Sequence, residues 1–205
     1  MQHNTFKSVN TTETNSIDTH TLLKHYAAGE RNFSNLLLIG VDLSGVHLSG
    51  ADFSKSQLAG ANLSNAVLST ANFSEANLTG ADLSHANLFG AFLSSADLRQ
   101  AVLKASNLTE ADLSGALLMN VDLSDALLHL TCLAEADLTG ANLAGAKMCG
   151  AKLWKANLCS ADLTGADLCD ANLCEANLYG ANLEATDTSE VTLTSAILPH
   201  GEIHG

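Results

Sequence analysis

Aromatic side chains make up only 4% of this 205-residue chain, and proline occurs once, at Pro199. With so few rings, a thick aromatic core is excluded, and any interior must be narrow and built from Leu and Ala. Lys and Arg number nine against 22 Asp and Glu, giving a net charge of −13. That shortage of cations argues against direct nucleic-acid binding, because phosphate contacts need Lys and Arg. It fits a basic partner, or simply solubility. There is no run of about eighteen or more apolar residues, so no membrane insertion is expected. Met1 to Asn15 is polar, without an apolar core or a small-residue cleavage site, and a secretory signal is not expected. Five cysteines, an odd number, suggest a reducing and therefore cytoplasmic setting rather than a disulfide framework.

What the chain does have is a period of five. Ala61-Asn62-Leu63-Ser64-Asn65, Ala71-Asn72-Phe73-Ser74-Glu75 and Ala81-Asp82-Leu83-Ser84-His85 are three frames of a pattern that runs without a slip. Counted from Arg31, the third place is Leu, Phe or Met in every frame through Leu183, and the first is mostly Ala. The second is usually Asp or Asn, the fourth often Ser or Thr, and the fifth holds nearly all the glycines. A large residue every fifth position would wander around a helix and switch faces along one extended strand. The chain therefore turns once per repeat, with the first and third places inward and the second, fourth and fifth toward water. That is a solenoid in which each coil touches only its neighbours.

Phe33, Phe53 and Phe73 are inward and twenty residues apart, so four pentapeptides per coil would stack them in one column. Coils rising by one strand spacing give about nine coils and a rod a little over ~40 Å long.

A tandem A-[DN]-L-[ST]-x array resembles the pentapeptide repeat family, and the match covers about Phe33 to Leu198. The resemblance implies an all-β solenoid in the form of a right-handed quadrilateral β-helix. Family members are abundant in cyanobacteria, where some affect cell differentiation. Others bind and protect DNA gyrase by resembling DNA in charge and shape.

At the N-terminus, residues 1–16 read as a loose arm. Residues 17–29 read as a short capping α-helix, with Asp18 as N-cap, Ile17 and Leu22 as a hydrophobic staple, and Gly29 as its stop. Leu22, Leu23 and Tyr26 give it one apolar side to plug the first coil, and the apolar segment Leu36 to Gly40 is expected beneath it. The repeat occupies 30–198. Residues 199–205, opened by Pro199 and Gly201, form a C-terminal cap.

With the coil assigned, the outward residues fall into columns. One second-place column runs Asp42, Asn62, Asp82, Val102, Asp122, Asn142, Asp162, Asn182; with Asp125 and Glu184 it makes an acidic wall opposed only by Lys104. Interleaved Asn spreads like charges to roughly 10 Å, so stability alone explains the alternation. A fourth-place column holds His129, Cys149 and Cys169. It reads either as semi-polar surface or as a set of soft metal ligands lacking a fourth member. In the middle coils Phe89, Leu127 and Leu130 are outward and apolar on the His129 wall, Phe92 on the next and Leu117 with Met119 on another, a candidate partner-binding surface.

No Gly-rich phosphate loop, nucleophile elbow or paired-carboxylate pocket interrupts the coils, so no enzyme activity and no cofactor are expected. The sequence reads as a non-catalytic acidic interaction module or scaffold with an unidentified protein partner, monomeric or weakly dimeric. The alternative is a DNA-mimicking inhibitor or protector of gyrase.

Overall fold

A computed structural model describes residues 16–205; the expected N-terminal arm lies, apart from Ser16, outside the described residues. Its backbone is organised by parallel bridges in which each second-place residue pairs with the residue twenty further on. These bridges form four ladders. The first contains Asn32, Asp52, Asn72, Phe92, Asp112, Cys132, Lys152, Asn172 and Thr192, and the second runs from Leu37 to Ile197. The third is the Asp42 to Asn182 column, and the fourth runs His47, Val67, Asn87, Asn107, Leu127, Lys147, Asp167, Asp187. The architecture is a β-helical stack with a single short helix among the described residues.

Each pentapeptide finds a partner for its N–H groups in a fixed way. The third-place N–H donates to the coil after it and the second-place N–H to the coil before it, as in Leu63 to Asp82 at 2.6 Å and Asp82 to Ala61 at 2.9 Å. The fifth-place N–H also crosses between coils, as from Gly60 to Thr79 at 2.9 Å, and the first-place N–H closes the turn, as from Ala61 to Leu58 at 3.0 Å. Where a coil has neighbours on both sides, only the fourth-place N–H lacks a backbone acceptor. The side chain two residues earlier takes it, as when Ser84 N–H donates to Asp82 Oδ1 at 2.9 Å.

First-place Ala and third-place Leu are buried along the stack from Ala51 to Leu178. Alanine is short enough for the chain to turn beside it, and leucine fills the axis. The Phe33, Phe53 and Phe73 rings stack with centroids 5.6 and 5.3 Å apart. Where a hydroxyl replaces the first-place Ala, Ser56 Oγ donates to Phe33 O at 2.9 Å and Thr131 Oγ1 to Leu108 O at 2.8 Å, both carbonyls of the previous coil, whereas the buried Ser106 Oγ has no hydrogen-bond partner.

The corner at the fifth place is left-handed whatever residue stands there. Gly60 has φ 64°, but Thr70 has 57° and Glu110 has 61°. Glycine is the unstrained choice at such an angle. The coil closes even without it, because the inter-coil hydrogen bonds hold the backbone in place.

The helix α1 covers Thr19–Ala27 with Asp18 as N-cap: Asp18 Oδ1 accepts the Thr21 N–H at 2.8 Å. Leu22 is fully buried, and Ile17, Leu23 and Tyr26 pack against the core beside it. Two carbonyls of the first coil have no coil beneath them, and the helix supplies their donors. Thr19 Oγ1 bonds Asp42 O at 3.0 Å, and the Tyr26 hydroxyl bonds Ser49 O at 2.9 Å. Ser16 bridges Leu37 from below. The apolar segment Leu36 to Gly40 is not covered as expected. Leu38 is buried, whereas Leu37 is exposed and Ile39 is 67% exposed, because second and fourth places point outward in this coil as in every other.

At the other end the tail turns back on the last coil. Ile203 bridges Ile197 antiparallel, Leu198 N–H donates to Glu202 O at 2.7 Å, and Ser195 N–H donates to His204 O at 2.9 Å.

Candidate interaction surface

The third ladder places the acidic column Asp42, Asp82, Asp122 and Asp162 in one line, with Asn62, Val102, Asn142 and Asn182 interleaved. The asparagines do more than separate charges. Asn142 Nδ2 donates to Asp122 Oδ1 at 3.0 Å, and on the other ladders Asn72 and Asn157 do the same to Asp52 and Asp137. Each carboxylate also spends one oxygen on its own turn. Asp42 Oδ1 accepts the Ser44 N–H at 3.0 Å, and Asp162 accepts both the hydroxyl and the N–H of Thr164. These donors hold the Asp42 and Asp162 carboxyls below the usual carboxylate range, Asp42 chiefly through the Ser44 N–H and Asp162 chiefly through the Thr164 hydroxyl. Asp125 and Glu184 are exposed beside the column, at the fifth and fourth places of the same pentapeptide ladder.

The six apolar candidates do not form one patch. Phe89, Phe92, Leu127 and Leu130 gather along the edge where the fourth ladder turns into the first, Phe89 and Phe92 on either side of Gly90 and the two leucines two coils further on. That puts the pairs roughly 10 Å apart, with Asn107, Thr109 and Glu110 between them. Leu130 is 55% exposed and Phe92 50%. Leu130 Cδ2 lies over Gly150, 2.7 Å from the point a Cβ there would occupy, so the glycine makes room for it. Leu117 stands elsewhere, on the second ladder between Asp97 and Asp137. Met119, partly buried, lines an open groove of about 320 Å³ with Thr79, Arg99, Gln100 and Asn120. The guanidinium there is held by Asp97, with Nε to Oδ1 at 2.8 Å and Nη2 to Oδ2 at 2.6 Å.

The expectation of reduced cysteines is corrected in one place: Cys149 and Cys169 are joined as a disulfide between successive coils, while Cys132, Cys159 and Cys174 are free. Parallel side-chain directions do not prevent the link. The ladder brings the two Cα atoms to 4.6 Å, inside the ~4.4–6.8 Å span of disulfides. His129 does not join them. The soft and acidic groups whose ligand atoms lie within 4.8 Å of one another are Cys149, Cys169 and Asp170.

The geometry of turn, column and ladder repeats from end to end, and the pentapeptide repeats family matches it in eight copies lying between residues 32 and 187. The chain belongs to the pentapeptide repeat family. No curated protein matches it in sequence. Among solved structures it is similar to HetL, a pentapeptide repeat protein involved in heterocyst differentiation regulation from the cyanobacterium Nostoc sp. strain PCC 7120, at 33% identity over 92% of this chain and 100% of that one, with a TM-score of 0.32. It is also similar to Rfr23 from the cyanobacterium Cyanothece 51142, at 28% identity over 85% and 93% of the two chains and a TM-score of 0.31. QnrB1, a plasmid-mediated fluoroquinolone resistance protein, matches at 22% identity over 76% and 82% with a TM-score of 0.53, a likeness of fold alone.

Within the pentapeptide repeat, the second-place Asp or Asn is the feature that sequence reasoning missed. The repeat pattern turns it toward water, yet its oxygen also caps the turn that no backbone carbonyl reaches. The signal was present in the [DN]-L-[ST] spacing, because Asp and Asn side chains bond the backbone N–H two residues on. No described helix is long and apolar enough to cross a membrane.

Proposed function

We propose that this pentapeptide repeat protein is a non-catalytic, acidic interaction module that binds a protein partner along the edge carrying Phe89, Phe92, Leu127 and Leu130. Its body, residues 30–198, is a right-handed four-sided rod of about nine coils, closed by residues 17–29 and 199–205. It works in the cytoplasm as a monomer or weak dimer. Leu117 and Met119 form a lesser, separate contact.

One observation supports this reading above the rest. Phe92 and Leu127 stand at second places, where a side-chain oxygen would cap the turn. Neither has an acceptor to offer, so each forgoes a hydrogen bond of about 1 kcal/mol. Leu37, Val67, Val102 and Leu117 forgo the same bond singly on the stack, but at this edge two such places fall together with two further exposed apolar side chains, Phe89 and Leu130.

The test is a pull-down from host lysate with wild type and with Leu127→Ser/Leu130→Ser, each at low and high salt. Capture that survives salt and is lost in the double variant, with unchanged circular dichroism, is the expected result. Equal capture by both proteins overturns the reading. A second reading rests on the third-ladder acidic column and makes the protein a gyrase-directed DNA mimic. It requires gyrase to be captured by both proteins and released by salt.

A further inference from the structure

We propose that Cys149, Cys169 and Asp170 form a thiol site with two states: when reduced it binds one soft divalent cation such as Zn²⁺ or Cd²⁺, and when oxidised it is the disulfide, which binds none. Cys149 and Cys169 occupy the same place in successive coils, and the backbone fixes them there independently of the sulfurs. Gly150 N–H donates to Cys169 O at 2.8 Å, and Leu130 N–H to Cys149 O at 3.1 Å. The Cα atoms are 4.6 Å apart. Two thiolates on a tetrahedral cation sit about 3.8 Å apart, given zinc–sulfur bonds of about 2.3 Å. Small side-chain rotations therefore take the pair from a covalent bond to that separation with no movement of the coils.

Asp170 supplies the third group. Its carboxylate lies within 4.8 Å of both sulfurs, although it occupies the corner rather than the face. Asp170 follows Cys169 directly in the chain and has φ 56°, the left-handed turn common to these corners. Asp167 Oδ1 accepts the Cys169 N–H at 3.2 Å and steadies the turn that carries both ligands. Two thiolates and a carboxylate are a soft, anionic set, with water completing the four positions a zinc-like ion prefers. Both cysteines are only half-buried and Asp170 is exposed, so the site exchanges its ion with solvent.

The change of state balances with a small-molecule disulfide as oxidant. The thiolate of one cysteine attacks a sulfur of that disulfide, forming a mixed disulfide and releasing one thiol. The second protein thiolate then attacks the mixed disulfide at the protein sulfur, forming the Cys149–Cys169 bond and releasing the second thiol. Two electrons pass to the oxidant together with the two protons lost by the cysteines, and a bound cation leaves because its thiolate ligands are consumed.

The full-length protein is reduced with a phosphine, freed of reductant and titrated with Cd²⁺ while the thiolate-to-cadmium charge-transfer absorption is followed. Wild type and a Cys132→Ser/Cys159→Ser/Cys174→Ser variant are expected to saturate at one equivalent. Cys149→Ser and Cys169→Ser are expected to lose the high-affinity signal, and Asp170→Asn to weaken binding by at least about tenfold. Oxidised glutathione is expected to abolish the absorption and, in the triple-serine variant, to remove two hydrogens from the protein mass. The triple variant keeps every proposed ligand, so its failure to bind overturns the proposal even if the single variants misfold. Undiminished binding by Cys149→Ser, or cadmium retained after oxidation, overturns it as well.

Discussion

Asn142 Nδ2 donates to Asp122 Oδ1 across 3.0 Å, tying one coil to the next along the acidic ladder. Asn182, two rungs on, sends its Nδ2 to Thr164 Oγ1 at 2.8 Å instead, so the amide–carboxylate bond on this ladder is specific to the Asn142–Asp122 pair. Replacing Asn142 by Asp removes the donor and sets a carboxylate one rung from both Asp122 and Asp162, where the repulsion of each pair in a partly solvated setting is on the order of 1–2 kcal/mol. Asn142→Asp is expected to lower Tm at neutral pH and to recover much of the loss in acid, as thermal melts at the two conditions would show. A melt identical to wild type at neutral pH would contradict the bonded-ladder account.

Thr70 occupies a left-handed corner at φ 57°, an angle that costs a β-branched residue roughly 1–2 kcal/mol. Glycine avoids that cost but loses more freedom on folding. Thr70→Gly is expected to stabilise the protein by a net ~0.5–1 kcal/mol, read as a rise in the denaturation midpoint. A fall in the midpoint would mean that Thr70 contributes packing that outweighs its backbone strain.

Asp42, Asp162 and Asp187 all have carboxyls held below the ordinary value of 3.8 by donors from their own turns. A depressed folded-state value means the folded protein binds fewer protons than the unfolded chain as the solution becomes acid. The stability these groups contribute is therefore present in full above the ordinary carboxylate value and is lost as pH falls through the lower folded one. Thermal melts from neutral pH down to about pH 2 are expected to show Tm falling along that limb. A variant with all three changed to Asn keeps the capping oxygens but has no charge to titrate there, and its acid limb should be shallower. An equally steep limb would assign the acid loss to other groups.

Leu22 is fully buried under the first coil and Asp18 caps its helix. Leu22→Ala is expected to cost about 2–5 kcal/mol, and Asp18→Ala about 1 kcal/mol. Removing residues 1–15 is expected to leave Tm nearly unchanged, while removal through Gly29 lowers it clearly and exposes the carbonyls of Asp42 and Ser49. Equal effects of the two truncations would show that α1 is not what protects that end.

The period, the inward Ala and Leu, the third-ladder column and the cap at Asp18 are legible in the order of amino acids alone. All of these follow from local rules: an unbroken frame repeats one geometry, and a cap residue acts on the turn beside it. Phe33, Phe53 and Phe73 at twenty-residue spacing carried even the pairing register, because identical rungs must stack. Tertiary structure decided what depends on distances between side chains of different coils. It set the spacing of the apolar candidates whose walls the frame already gave, placing Phe89 and Phe92 two coils from Leu127 and Leu130. It exposed Ile39, because coil geometry overrides local hydrophobicity. Finally, it joined Cys149 to Cys169 and brought in Asp170, whose ligand oxygen lies within 4.8 Å of both sulfurs although it stands at a corner outside their column.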